Sequence, residues 1–284
     1  MNKEEFFDHY PVRKKDSNKY DNGVVSFVSG SYGMAGAALF NLLGARSTGA
    51  SYIHSYLPEA IYPIVAGNEP SAVYHPYDPE DKDFFKDMTL RKVKAAAFGS
   101  GCDNLAHKET YLKDLISVCD IPLVIDAAGL RILAQKPDLY AEHKMLILTP
   151  HMGEFSALCH RSVKEIEEDK MTIAVNFACT HHVILVLKGQ NTLVIDQKGD
   201  VYVNQSGNPA LARAGSGDIL TGMIAGLCSL YDDPYQAVKD GVWLHGHLAD
   251  EALKTGSMEV FDLRLYPQLA DRFFHSRADS FKKI

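Results

Sequence analysis

The chain has 284 residues, 46% of them hydrophobic and 23% charged, with a formal net charge of -7 at pH 7. This is a globular composition with ample material for a core, and its acidic balance argues against a general nucleic-acid binder. No segment approaches the ~20 apolar residues of a membrane span. The five scattered cysteines, without C-x-x-C spacing, read as reduced thiols of a cytoplasmic protein.

Residues 1–22 are polar, lack the apolar stretch of a signal peptide, and read as an irregular lead-in. Residues 24–29 form a short β-rich run, apolar on both faces, as a buried parallel strand requires. It ends in Gly30-Ser31-Tyr32-Gly33-Met34-Ala35-Gly36-Ala37-Ala38, and Leu39, Leu42, Leu43 and Ala45 continue as a helix. Glycines at 30, 33 and 36 do not fit G-x-G-x-x-G, so a standard dinucleotide fingerprint is excluded. The alternation then repeats. Strands are expected at 51–56 and 72–75, a helix over 81–90, and a strand over 95–98 ending in Gly99-Ser100-Gly101-Cys102-Asp103. A helix over 106–119 precedes a strand over 122–125 that closes on Asp126, with a helix around 130–135. A strand over 145–148 ends in Thr149-Pro150-His151-Met152-Gly153-Glu154, and a helix covers 163–179. A strand over 183–187 ends in Lys188-Gly189-Gln190-Asn191-Thr192, and 193–196 pairs with 201–204 as a hairpin. Helices follow from Asp218, from Pro234 and near the C-terminus. Strands separated by helices imply an α/β fold of three layers, a mostly parallel central sheet with helices on both faces, here read as one domain over 1–284.

Several of these strands end in Gly, Asp, His, Thr or Lys. Ligands of open α/β sheets bind outside the carboxyl ends of the strands, so these clusters converge on one cleft. Its organising stretch is 208–220, where Gly215 and Gly217 flank Ser216, Asp218 follows at once, and an apolar helix runs on from Ile219. The amides of Gly215, Ser216 and Gly217 at a helix N-terminus favour phosphate without a lysine. Asp218 at the rim of such an anion hole opposes phosphate and so suits a base acting on a hydroxyl; the plain alternative is a favourable first-turn acid.

Other positions admit two readings each. His151 contacts substrate or is a surface turn residue, while Glu154 is a ligand of metal-bound water or a helix-start acid. Lys188 approaches a nucleotide phosphate or caps its strand in solvent. Asp126 orients substrate or a Mg²⁺ water, or caps the next helix. His245 and His247 fall on different helix faces, so a metal pair is not expected there. No Ser/His/Asp triad or zinc spacing is present.

Taken in order, Gly30-Ser31-x-Gly33-Met34-x-Gly36-Ala37, Gly99-x-Gly101, Ile125-Asp126-Ala127, Thr149-Pro150-His151-x-Gly153-Glu154, Leu187-Lys188-Gly189, Gly215-x-Gly217-Asp218 and Leu244-His245-Gly246 resemble the ADP-dependent NAD(P)H-hydrate dehydratases. The resemblance runs from about 16 to about 251 and implies a ribokinase-like fold. It further implies repair of hydrated NADH and NADPH (NADHX, NADPHX): ADP or ATP phosphorylates the ring hydroxyl, and loss of phosphate restores the double bond. On that basis Ala37, Gly101, His151 and Asp218 contact the hydrated dinucleotide, with Asp218 as base. Lys188, Gly189, Gln190, Asn191, Thr192 and Gly217 contact the adenine nucleotide, with Mg²⁺ on its phosphates, and the assembly is a homotetramer. The sequence departs from the family pattern in Ser216 for Thr, Cys102-Asp103 for Leu-Gly, Ala128 for a second Asp and Arg131 for Asn. The last two leave the role of the Asp126 loop open. The N-terminal epimerase domain of some members is not expected, so dehydratase activity alone is. The rival expectations are a ribokinase-like kinase of a vitamin-precursor alcohol (a thiazole or pyrimidine) and a non-catalytic nucleotide sensor.

Overall fold

In a computed structural model, which describes residues 1–86, 90 and 92–281, the strands are β1 (Val24–Val28), β2 (Tyr52–Pro58), β3 (Val73–Tyr77), β4 (Ala95–Phe98), β5 (Leu123–Ile125), β6 (Leu146–Leu148), β7 (Ile184–Leu187), β8 (Leu193–Ile195) and β9 (Val201–Val203). They form one nine-stranded sheet in the order β3-β2-β1-β4-β5-β6-β7-β8-β9. β1 to β7 run parallel, while β8 and β9 add antiparallel as the expected hairpin. The mostly parallel, helix-covered sheet predicted above is therefore present.

Successive side chains of a strand point to opposite faces, and the core divides accordingly. Val25 and Phe27 of β1, Val124 of β5, Ile147 of β6 and Val186 of β7 enter one apolar cluster. That cluster is closed by α2 (Ala35–Arg46), α3 (Tyr62–Asn68), α9 (Ser216–Cys228), α10 (Pro234–Ala252) and α11 (Tyr266–Phe281). Val28, Leu123, Ile125, Leu148 and Leu187 enter the other, closed by α4 (Lys108–Val118), α5 (Ala128–Gln135), α6 (Met152–Cys159) and α8 (Lys170–His181).

The α2–α9 contact positions the functional edge. A side-chain carbon on Gly222 would lie 2.2 Å from the Asn41 carbonyl, and one on Gly44 would lie 2.3 Å from that of Ile219. Only glycine allows this backbone approach, and it brings Asn41 within 2.8 Å of the Asp218 carbonyl.

Four expectations need correction. The lead-in contains a helix, α1 (Lys3–His9), started by an Asn2–Glu5 capping box and anchored by Phe6, which packs on Trp243 and Phe273. Residues 82–86 of the expected 81–90 helix are turns, and 87–89 lie outside the described residues. Asp78 and Asp81 there accept from the amides of Glu80 and Asp83, offering the backbone an alternative to helical bonding. The expected helix over 163–179 breaks at Asp169 into α7 (Val163–Glu168) and α8. Finally, α3, a short helix that follows β2 after one 3-10 turn, was not anticipated, whereas α6 is the helix that the helix-start reading of Glu154 implied.

His247 stacks on Trp243 while His245 stacks on Tyr266, so the two histidines do face apart. All five cysteines are free thiols. No described helix is long and apolar enough to cross a membrane.

Candidate active site

The carboxyl ends of β1, β4, β5, β6 and β7 meet the N-terminus of α9, and nearly every residue singled out from the sequence lies at this edge. The loops after β1 and β4 are latched together. The Gly30 amide donates to the Ser100 carbonyl at 2.8 Å, and the Ser31 hydroxyl donates to the Gly101 carbonyl at 2.7 Å. Gly101 consequently lies against Ala37 in the first turn of α2.

Asp126 follows the three buried apolar residues of β5 and is itself buried. Its Oδ1 accepts from Thr149 Oγ1 at 2.9 Å and Lys188 Nζ at 3.0 Å, and its Oδ2 accepts from Thr221 Oγ1 at 3.0 Å. It makes no cap to α5, which removes one of its two sequence readings. The next residue, Ala127, takes a left-handed φ of 46°, a cost of order 1–3 kcal/mol. Strain of this kind persists where the surroundings fix a side chain, here the Asp126 carboxylate.

Lys188 does not cap its strand in solvent. It is held inward by Asp126, with the Glu154 carboxylate 4.0 Å away. Burial pushes its pKa down, but these carboxylates outweigh burial and the net direction is up, so it remains an ammonium. A side-chain carbon on Gly217 would lie 3.3 Å from Lys188 Nζ, which places the cation over the start of α9. Beyond it, Gly189, Gln190, Asn191 and Thr192 form the tight β7–β8 turn, closed by a Thr192 hydroxyl bond to the Gly189 carbonyl.

His151 is a turn residue, at the same edge as Lys188. It is the N-cap of α6, its Nδ1 accepting from the Gly153 and Glu154 amides at 3.0 and 3.2 Å, while Glu154 Oε2 accepts from the His151 amide at 2.9 Å. An Nδ1 that accepts leaves the ring proton on Nε2, which lies 3.5 Å from Glu154 Oε2 on a largely exposed ring. A parallel bridge between His151 and Lys188 joins the two loops.

Gly215 is the left-handed N-cap of α9, with φ 93°, where a side chain would also meet the Phe40 ring at 2.4 Å. Of the three amides expected to form an anion hole, one is engaged within the loop. The Ser216 amide is taken by the Arg213 carbonyl at 3.3 Å, and its hydroxyl lies 3.4 Å from Nε2 of the buried His245. Burial lowers that imidazole to about 4, so it stays neutral behind the loop. The amides of Gly217 and Asp218 have no acceptor among the described residues and remain available to an anion. Asp218 sits beside them, its carboxyl raised to about 7, first by burial and then by the charge of Asp126. A hydrogen bond from Ser100 and the charge of Lys188 pull the other way. A carboxyl near 7 is matched to proton transfer at neutral pH.

Ser100 and Asn41 were missed by sequence reasoning. Asn41 Nδ2 donates to Ser100 Oγ at 3.1 Å and to the Asp218 carbonyl, so the pair fixes Asp218 from behind. Their signals were a serine between two glycines and an amide inside an apolar helix.

A model of the NAD(P)H-hydrate dehydratase family matches residues 25–268. The bifunctional NAD(P)H-hydrate repair enzyme of Moorella thermoacetica is 34% identical over 252 residues, 86% of this chain and 48% of that protein. The chain thus spans about half the length of such bifunctional relatives. The crystal structure of the ADP/ATP-dependent NAD(P)H-hydrate dehydratase from Bacillus subtilis, co-crystallised with ATP and Mg²⁺, superposes with a TM-score of 0.84 at 28% identity and covers 97% of each chain. A ribokinase-like superfamily protein from Enterococcus faecalis superposes at 0.86 with 21% identity over 97% of this chain and 95% of its own, a likeness of fold alone. From the second residue of β1 into α11, then, this chain belongs to the NAD(P)H-hydrate dehydratase family.

Proposed function

We propose that the chain is an ADP- or ATP-dependent dehydratase of (S)-hydrated NADH and NADPH, a hydro-lyase. The observation that carries this reading is Asp218, a carboxyl raised to about 7 beside the open amides of α9 and the Lys188 ammonium.

Hydroxide is a poor leaving group, so the ring hydroxyl must first be phosphorylated. Asp218 takes the hydroxyl proton as the oxygen attacks the terminal phosphoryl group, and ADP leaves as AMP, or ATP as ADP. The Gly217 and Asp218 amides and Lys188 meet the negative charge on the transferring group. Phosphate then departs with the C–O electron pair, the neighbouring ring carbon gives up a proton to solvent, and the ring double bond returns. The exposed His151 ring and the Ala37–Gly101 wall orient the dinucleotide, while 188–192 receive the adenine nucleotide.

Mg²⁺ fits this site with the nucleotide's help. Among the described residues there is no group of three or more metal-ligating side chains, but Mg²⁺ takes one or two carboxylates plus substrate phosphates and water. Glu154 is the suited carboxylate, because its Oε1 accepts no hydrogen bond among the described residues, although the Arg131 guanidinium 3.7 Å away would have to give way to the ion. When bound, the ion would neutralise phosphate charge. Free, mostly buried thiols fit a reducing compartment such as the cytoplasm.

Incubation with hydrated NADH, Mg²⁺ and either ADP or ATP should restore the absorbance of reduced nicotinamide, with one phosphate released per turnover. A flat signal, together with phosphorylation of a thiazole or pyrimidine alcohol, would replace this reading with the kinase one.

A further inference from the structure

Arg131, in the second turn of α5, is joined to Asp103 by an ion pair and lies 3.7 Å from Glu154 Oε1. Asp103 stands two residues after Gly101, so the pair spans the loop after β4 and the helix after β5. With Lys188 and Asp126 it completes a chain of alternating charge, Asp103–Arg131–Glu154–Lys188–Asp126, across the ends of β4 to β7. The two cations differ in access. Lys188 is 19% exposed and committed to the Asp126 carboxylate, whereas Arg131 is 47% exposed and its partner Asp103 is 38% exposed. A guanidinium offers five donors in a planar fork matched to phosphate. Two acceptors, one of them beyond hydrogen-bond reach, leave most of that capacity open to solvent at the edge where the strands end.

We infer that Arg131 is a specificity-determining residue that binds a phosphate group of the hydrated dinucleotide, with Asp103 as the internal anion that competes for it. The inference rests on the dehydratase reading, because it needs a polyanionic dinucleotide against the Gly101 loop. Every dinucleotide of this class brings a pyrophosphate, and the NADP series adds a 2′-phosphate. Either can take the guanidinium as two parallel charge-assisted hydrogen bonds.

The competition makes the two ends of the pair act in opposite directions. With NADP⁺ and NAD⁺ as calorimetric probes, Arg131→Asn should weaken dinucleotide binding about tenfold, the scale of one lost charge-assisted bond. Asp103→Asn, which keeps the shape and removes the charge, should tighten it severalfold. Arg131→Lys should fall between Arg131→Asn and the natural protein, and KM for the hydrated substrates should follow the same order. A larger loss for NADP⁺ than for NAD⁺ assigns Arg131 to the 2′-phosphate, and equal losses assign it to the pyrophosphate. If both neutral variants weaken binding, the pair is only a brace between loops and the inference falls. It falls equally if neither variant changes binding, or if Arg131→Asn weakens ADP alone. Absence of both dinucleotide binding and turnover in the natural protein would remove the dehydratase reading and this inference with it. Turnover that persists while the variants behave alike removes this inference only.

Discussion

At the carboxyl edge of the parallel strands, Lys188 and Arg131 sit among Asp103, Asp126, Glu154 and Asp218, and most of these groups are half-buried or buried. At the opposite edge, where residue 22 leads towards β1 and Lys94 into β4, a hollow of about 1420 Å³ opens among Tyr10, Arg13, Lys14, Arg46 and Arg272. The hollow is roomy and the more basic of the two places, yet much of its charge is spent on structure. Arg13 donates to the Gly49 carbonyl at 2.7 Å, Arg46 pairs with Glu69 at 2.9 Å, and Arg277 donates to the Phe7 and Tyr10 carbonyls at 3.2 Å. The carboxyl edge instead spends structure on charge: a strained Ala127, a left-handed Gly215 and two hydroxyls, Thr149 and Thr221, hold Asp126 and the α9 entry in place. Volume marks where a ligand has room. Groups held against their own preferences mark where chemistry is arranged.

Asp218→Asn tests this contrast with the largest expected effect. Turnover should fall by ~10²-fold or more, as for loss of a general base, while ADP or ATP still binds. Stability should move the other way. The folded carboxyl titrates near 7, above its ordinary range, so its contribution is full below that ordinary range and is lost as pH rises through 7. The asparagine variant carries no such loss. Its melting temperature should exceed that of the natural protein at pH 8, and the gap should shrink as pH falls from 7 towards 4. A variant that is inactive but also less stable at pH 8 would mean that Asp218 is a structural acid.

Much of the carboxyl edge was legible because parallel strands announce their own ends. Asp126, Thr149–Glu154 and Lys188 each follow a run of three or more apolar β-formers, and chain direction alone puts them on one side. What could not be read was pairing across the sequence. Thr221 reaches Asp126 from 95 positions away, and Arg131 finds Asp103 across 28, contacts with no periodicity to betray them. The state of the Ser216 amide was hidden for a related reason, since it depends on the Arg213 carbonyl turning back onto it. The helix α1 was partly readable from its Asn2–Glu5 cap. Seven residues do not form a stable helix alone, and the stacking of Phe6 against Trp243 and Phe273 that holds them is invisible locally.

An intermediate effect is expected from Asp126→Asn, which removes the anion raising the Asp218 carboxyl and frees Lys188 from its partner. Both changes favour the ionised form of Asp218. The acid limb of the kcat/KM profile, which rises as Asp218 loses its proton, should therefore move to lower pH. The rate on the plateau should fall about tenfold as Lys188 loses its position. An unchanged limb would show that burial alone sets the Asp218 carboxyl, and that the Asp126 network serves packing.

The smallest effect belongs to the hollow. Arg13→Ala removes one exposed bond to the Gly49 carbonyl, worth about 0.5–1.5 kcal/mol, and Lys94→Ala removes an exposed charge. Neither reaches the carboxyl edge, because the sheet lies between. kcat/KM for the hydrated dinucleotide should therefore stay within about twofold of the natural value, with only the Arg13 variant melting slightly earlier. These quiet variants are the sharpest way to break the contrast drawn here. A severalfold loss of nucleotide affinity in either would mean that the open basic hollow binds a ligand in spite of its committed arginines, and that room rather than strain was the better guide.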